Sequence, residues 1–478
     1  MRTGKLRLAG LLLVALQVSA CAIAPEPQPR PMPVPASFAH AADGTEDLPN
    51  LDWKAYYSHP ALKRLAELAL ENSPQVDIAR ERVETARARY ALVSADRYPT
   101  VGASASGTSQ RTADSLSPFG SGQSTEYGQV GLGASSWEID VWGRLRNLRG
   151  AALEEYLASD EARRGVMNGL IGDTMRAYIT ILELNERIAL AEKTVASRTE
   201  SHRILSRRVD VGSAAPIDLT LAESLLSQAR TELKSLQQAR DLAGNALTLL
   251  IGTSPPEDLF EAQLADIAMA ETVPAGLSSD ILLQRPDIRA AEHMLSAREA
   301  DIAAARAAYF PSVSLTGQFG FASTELSSLF ESGSRAWTFT PSVNLPIFDA
   351  GRRDANLALT QSQARQALAE YELEIQSAFR EVSDALATAY WLDQQIDEQM
   401  RTLNALEERA RLANRRYEAG AANYLEVLDA ERERFRAEQA LVEARAGLIA
   451  SKVDIFTALG GGVPGFETNV DEAPTARD

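Results

Sequence analysis

The chain has 478 residues, 45% of them hydrophobic and only 6% aromatic, and carries a formal net charge of −17. That acidic balance excludes nucleic acid as a partner, because such binding rests on a basic footprint. A single cysteine excludes a disulfide scaffold, and the scarcity of aromatics predicts narrow seams between helices instead of a broad core.

Residues 1–20 read as a signal peptide: Arg2, Lys5 and Arg7 precede the apolar run from Leu8 to Leu16, which is too short for a bilayer-spanning helix of ~20 residues. Val18-Ser19-Ala20-Cys21 resembles a bacterial lipobox, in which the cysteine is acylated and cleavage makes it the new N-terminus. With Ala22 rather than Asp after it, Cys21 is expected to carry N-acyl and S-diacylglycerol chains in the outer membrane. Residues 21–50 form a tether, stiff where every second residue from Pro25 to Pro35 is proline.

Beyond the tether the chain is written twice. Pro74 to Pro99 matches Pro286 to Pro311 without a gap, and Gly143 to Gly252 matches Gly351 to Gly460. Arg207-Arg208 falls on Arg415-Arg416, Gly212 on Gly420, and Ala222-Glu223 on Ala430-Glu431. The domain reading follows: a first repeat over 51–252, a linker over 253–280, a second repeat over 281–462 and a tail over 463–478. A duplication of helix, strand pair and long helices in one order defines the architecture and argues against a one-copy catalytic site.

Within the first repeat, Leu51 to Asn72 reads as an amphipathic helical region. Ser73 is placed to cap a helix that opens at Pro74 and stops before Pro99. Strand pairs follow in each repeat. In the second, Trp337, Phe339, Val343 and Leu345 alternate with Thr338, Thr340, Ser342 and Asn344, predicting a lipid-facing and a lumen-facing side. In the first pair, Val101 to Gln110 is nearly all Gly, Ala, Ser and Thr, while Val130, Leu132, Trp137, Ile139 and Val141 keep some pattern. Gly143 to Val209 and Gly351 to Tyr417 contain no proline, and at 1.5 Å per residue each helix would reach roughly 100 Å. Ile375, Val382, Ala389, Ile396 and Leu403 recur as a heptad seam, with Gln399 as a polar interruption. Glycine-containing turns at Gly212 and Gly420 then send return helices back to Leu250 and Ala458.

Four strands of ~10–13 residues suit a membrane barrel wall, since a tilted spanning strand needs ~9–11. Four strands cannot close, and an open edge in hydrocarbon leaves backbone groups unsatisfied at several kcal/mol each. Eight strands would leave an interior filled by side chains, so a conduit needs three chains or more.

The residues also resemble a known family, the outer-membrane efflux factors or TolC-like channels, and within them the lipoprotein branch of OprM and NodT type. The passages that carry the resemblance are Val273-Pro274-Ala275-Gly276-Leu277, Leu282-Leu283-Gln284-Arg285-Pro286-Asp287-Ile288, Trp137-Glu138-Ile139-Asp140-Val141-Trp142-Gly143-Arg144 and Pro346-Ile347-Phe348-Asp349-Ala350-Gly351-Arg352. It implies a mainly α chain with a membrane β-barrel: a homotrimer with a shared twelve-stranded barrel and a coiled-coil tunnel built from the duplicated hairpins. It implies a multidrug efflux component in the outer membrane of a Gram-negative bacterium, working with a periplasmic adaptor and a proton-driven inner-membrane pump. Glu426 and Asp429 match the acidic positions that ring the periplasmic constriction, Tyr417 a tyrosine that helps hold it shut, and Asp218 is the first-hairpin counterpart of Glu426. Three copies of Glu426 and Asp429 would favour cations and repel one another unless screened. Ala422 replaces the gate arginine of some members, which leaves a salt-bridge lock open to question. Arg208, Gly212, Arg416 and Gly420, in the hairpin tips, are expected at the adaptor-docking surface.

Enzyme readings find no support. The histidines are scattered, no lysine sits in a phosphate-binding glycine loop, and no nucleophile elbow occurs. No metal or cofactor is expected beyond the lipid on Cys21. The alternative to a passive channel is a lipoprotein coiled-coil spacer without conductance.

Overall fold

The computed structural model describes residues 32–39, 52–113, 115, 122–267, 269 and 278–462. Cys21, most of the tether, the Val273 to Leu277 motif and the tail lie outside them. In chain order the elements are α1 (Pro60–Asn72), α2 (Pro74–Ala95), β1 (Val101–Arg111), β2 (Ser124–Ile139), α3 (Arg144–Asp210), α4 (Pro216–Ile251), α5 (Pro286–Ala307), β3 (Ser312–Ser323), β4 (Arg335–Asn344), α6 (Arg352–Glu418) and α7 (Tyr424–Ala458), with short 3₁₀ turns between some of them. Helix–strand pair–hairpin thus occurs twice, and α3 and α6 have 67 residues each.

Several boundaries differ from the sequence reading. The amphipathic region before Asn72 is two pieces, a single turn Trp53–Tyr56 and then α1. β4 ends at Asn344, so Leu345, expected to face lipid, falls beyond the strand. Ser73 does not cap α2 with its side chain. It closes α1, its carbonyl accepts from the Val76 amide at 3.0 Å, and its buried Oγ has no hydrogen-bond partner.

One compact unit comprises residues 82–159 and 290–371 and holds the sheet. The strands pair antiparallel in the order β1-β2-β3-β4, so both outer strands keep a free edge. Register lines up an apolar face: Ala103 opposes Leu132, Leu132 opposes Phe319, and Phe319 opposes Trp337. The other face pairs Ser314 with Ser342, Thr316 with Thr340 and Gln318 with Thr338. On β2 the apolar residues are even-numbered as far as Ala134 and odd-numbered from Trp137. A bulge between those two residues, with Ser136 at φ 50° and its amide donating to Thr316 Oγ1 at 3.1 Å, switches the parity and keeps the face continuous. Trp337 is 75% exposed and Phe339 61%, so the apolar face is left uncovered within the single chain.

The strand-to-helix motifs are helix starts. Asp140 accepts from the amides of Leu145 (3.1 Å) and Arg146 (2.8 Å), and Asp349 from those of Gly351 (3.1 Å) and Arg353 (3.2 Å). Each satisfies orphan N–H groups at the beginning of a 67-residue helix. Trp142 stacks on Phe310 at 4.9 Å and donates Nε1–H to the Pro311 carbonyl at 2.7 Å.

The second unit comprises residues 32–81, 160–289 and 372–462 among those described. Its core gathers Tyr57, Leu62 and Leu65 against Leu170, Ile171, Met175 and Tyr178 of α3, Leu247 and Ile251 of α4, and Val453 and Phe456 of α7. Leu259, Leu264 and Ile267 of the inter-repeat segment join it. Arg285, buried in the same unit, donates to the Ala458 carbonyl at 2.5 Å and to Asp287 and Glu381 at 2.6 and 2.7 Å. The Leu282 to Ile288 motif therefore ties the start of α5 to the end of α7. A Cβ on Gly460 would come within 2.9 Å of the Arg285 side chain, which leaves room for glycine alone. Along α6, Ile375, Ala378, Val382 and Ala385 are buried. The heptad continues through the buried Ala410 and Ala413, and its next positions are Tyr417 and Gly420.

Candidate gate at the hairpin tips

The two turns share one backbone solution. Gly212 (φ 75°) and Gly420 (φ 71°) take the left-handed conformation. Ser213 N donates to Arg208 O at 2.7 Å, and Ala421 N to Arg416 O at 2.8 Å. This is the helix C-cap in which a following amide reaches back five residues, and it explains the paired glycines.

The side chains diverge. Asn423 caps α7 by accepting from the Glu426 amide at 3.1 Å, whereas Ala215 at the start of α4 supplies no side-chain cap and Pro216 fills the first turn. Arg416 Nη1 donates to Glu426 Oε1 at 2.7 Å. Asp429 is held from two sides, by Arg409 Nη2 at 2.7 Å and Arg432 Nη2 at 2.5 Å. Tyr417 joins the hairpins: Arg208 of α3 donates to its hydroxyl, and that guanidinium lies 5.4 Å from the ring centre. The ring of Tyr424 is 5.0 Å away, and both tyrosines pack on Ala410, Ala413, Val427 and Ala430. Asp218 sits in the first turn of α4, where the helix N-terminus favours an anion, and has no ion pair among the described residues.

The two acids matched to the constriction are thus arginine-paired carboxylates, not bare ones. Ala422 offers no arginine, and the cationic partners of the two carboxylates are Arg416, Arg409 and Arg432 instead. These pairs are half exposed, Glu426 and Asp429 at 38% each, so each contributes roughly 0–1 kcal/mol to stability. Their effect lies in charge and position. Arg208 and Arg416, expected on the docking surface, are exposed and contact Tyr417 and Glu426. Beside them the tips expose Val211 (78% exposed), Ile217 (72%) and Leu425 (54%), with open space around both glycines.

Arg409 and Arg432 were missed by sequence reasoning. A signal for them exists: Asp429 and Arg432 are spaced i, i+3, and Arg409–Asp429, like Arg416–Glu426, straddles the turn at similar distance on either side. Antiparallel helices place such residues opposite one another.

Long helical hairpins together with an open four-stranded sheet that has an exposed apolar face define a subunit of an oligomeric membrane channel. Among the described residues no helix is long and apolar enough to cross a membrane. The family model for outer membrane efflux protein matches residues 65–253 and 277–461. The chain is 39% identical over 455 residues to the outer membrane protein OprJ of Pseudomonas aeruginosa, covering 94% of this chain and 95% of that one. It is 41% identical over 411 residues to the toluene efflux pump outer membrane protein TtgI of Pseudomonas putida, covering 86% and 87%. It superposes on the open state of the MtrE outer membrane channel of Neisseria gonorrhoeae with a TM-score of 0.84 at 35% identity, covering 92% of this chain and 98% of that one. The chain belongs to the outer membrane efflux protein family. It is an outer-membrane channel component of an efflux system, and its fold is that of trimers in which three chains share one barrel and extend helical hairpins into the periplasm. Family membership decides against the spacer reading.

Proposed function

We propose that this channel is a passive export conduit for small molecules, closed at rest by the hairpin tips and opened when a periplasmic adaptor draws the two hairpins apart. The observation that carries the reading is the contact set at Tyr417, Glu426 and Asp429. The Arg208–Tyr417 bond links the first hairpin to the second, while the arginine–carboxylate pairs stay within the second. Separation of the hairpins breaks the first contact and leaves the others intact. Near the tips the Arg208–Tyr417 bond then acts as a clasp between the two hairpins, which Arg187 also joins to Glu443 further along, and the carboxylates go on setting charge preference in the open pore. The exposed Val211, Ile217 and Leu425 supply apolar contact for the adaptor. An inner-membrane pump, proton-driven, selects the cargo, and the lipid on Cys21 anchors the trimer without being needed for assembly.

Single-channel recording of the purified trimer tests the gate. Glu426→Ala with Asp429→Ala is expected to weaken cation preference and abolish block by multivalent cations. Unaltered conductance, selectivity and block would move the constriction elsewhere and return both carboxylates to a solvated helix face. The anchor is tested apart from this, by palmitate labelling, which Cys21→Ser should abolish.

A further inference from the structure

Away from the tips, α3, α4 and α7 surround a cavity of about 390 Å³ whose charged lining is Arg187, Arg198, Arg432, Arg436, Glu232 and Glu443. Four arginines and two glutamates line it, an unusual concentration of guanidinium in a chain of net charge −17. Three of the arginines have carboxylate partners. Arg187 is held by Glu183 at 3.0 Å and Glu443 at 2.7 Å, Arg432 by Asp429 at 2.5 Å, and Arg436 by Glu433 at 3.3 Å. Arg198 is the exception. It is 6% exposed, it lines both this cavity and an adjoining one of about 140 Å³, and its Nη1 has no hydrogen-bond partner. The field of Glu431 reaches it, but burial outweighs that attraction and pushes the guanidinium pKa below its usual value.

A buried cation with an idle donor is costly, and native interiors seldom keep one without a partner. Helix packing does not require it, for the duplicated scaffold places Leu406 at the matching position of α6, half-buried in the seam. The planar fork of an arginine presents N–H donors matched to paired oxygens, and the cavity has the size of a small-molecule pocket.

We propose that this cavity binds a small oxyanion, of the phosphate or carboxylate class, with Arg198 as the principal donor and Arg432 and Arg436 completing the charge. Arg432 also holds Asp429, so an occupied cavity and the carboxylate at the tip share one cation, and binding at either is linked to the state of the other. The binding site itself stands whether or not the tip is the constriction.

The test is isothermal titration calorimetry on the full-length protein in detergent, with inorganic phosphate and, separately, acetate, each against sodium chloride at matched ionic strength. Saturable binding of either anion, absent with chloride, is expected, and the better binder identifies the class. Arg198→Gln should weaken it at least about tenfold, Arg436→Gln more mildly, and Arg240→Gln, on α4 but not in the cavity lining, not at all. A melting curve guards against a merely structural role. Without added oxyanion Arg198→Gln should melt no lower than the parent protein, because it removes an unpaired charge, and the bound anion should raise Tm only in the parent. No saturable binding by either anion, or binding unchanged in Arg198→Gln, overturns the proposal. So does an Arg198→Gln protein that melts lower in anion-free buffer.

Discussion

The helices Arg144–Asp210 and Arg352–Glu418 have the same length and end in the same glycine turn, yet the chemistry around their ends has little in common. In the first copy Asp218 lacks an ion pair among the described residues, Ala215 stands where a cap would be, and Leu221 occupies the position of Asp429. In the second, Asn423 caps, Glu426 and Asp429 are held by three arginines, and Tyr417 reaches across to Arg208. The strand pairs diverge in the same way, with small residues on β1 where its counterpart β3 carries Leu315, Phe319 and Phe321. Backbone requirements such as a left-handed turn or a helix start constrain both copies. Side chains that face lipid, lumen or the opposite hairpin are free to differ, and there the copies have divided the work.

The largest effect asks whether facing or residue size governs the sheet. Phe339→Arg and Ala103→Arg, both on the apolar face though in different copies, should each cost ~2–4 kcal/mol near the midplane, against little for Thr340→Arg. Urea titration of the barrel in lipid vesicles measures it. A large penalty at Phe339 with none at Ala103 would mean that the first strand pair does not meet lipid.

Next comes the cap. Asn423→Ala should destabilise the start of α7 by about 1 kcal/mol, and Ala215→Asn should stabilise the start of α4 by a similar amount. Hydrogen exchange in the first turn of each helix reports both. Equal protection in all variants would show that Pro216 already does for α4 what Asn423 does for α7.

Tyr417→Phe removes the hydroxyl that accepts from Arg208 but keeps the ring on Tyr424. It should loosen the closed state by ~0.5–1.5 kcal/mol, seen as more frequent spontaneous openings in bilayer recordings. Arg409→Gln is the mildest change, roughly 0–1 kcal/mol and fading with salt, because Arg432 remains on Asp429. If it opened the channel more than Tyr417→Phe, the clasp would lie within the second hairpin and not between the two.

Much of this was readable from residues alone, for identifiable reasons. Period-two alternation on β4, proline-free helices and repeated glycines report backbone states, and those are local properties. The duplication supplied the order of elements. What escaped depends on pairs distant in sequence or on irregular backbone: the partners of Asp429, the contact of Arg208 with Tyr417, and the unpaired hydroxyl of Ser73 that looked like a cap. The β2 pattern was legible only as a weak alternation, because its apolar positions change parity at Ser135–Ser136, and an unbroken period of two misses a strand that shifts midway.

That bulge has a consequence for the history of the chain. The two copies match residue for residue through the helices, where one lost position would rotate every later side chain around the axis. In the strands a surplus residue can be absorbed at a single kink, after which inside and outside resume as before. Insertions and deletions are therefore tolerated in the barrel wall and not in the hairpins, so the copies, and relatives of this chain, should differ in strand length while keeping the hairpins in step.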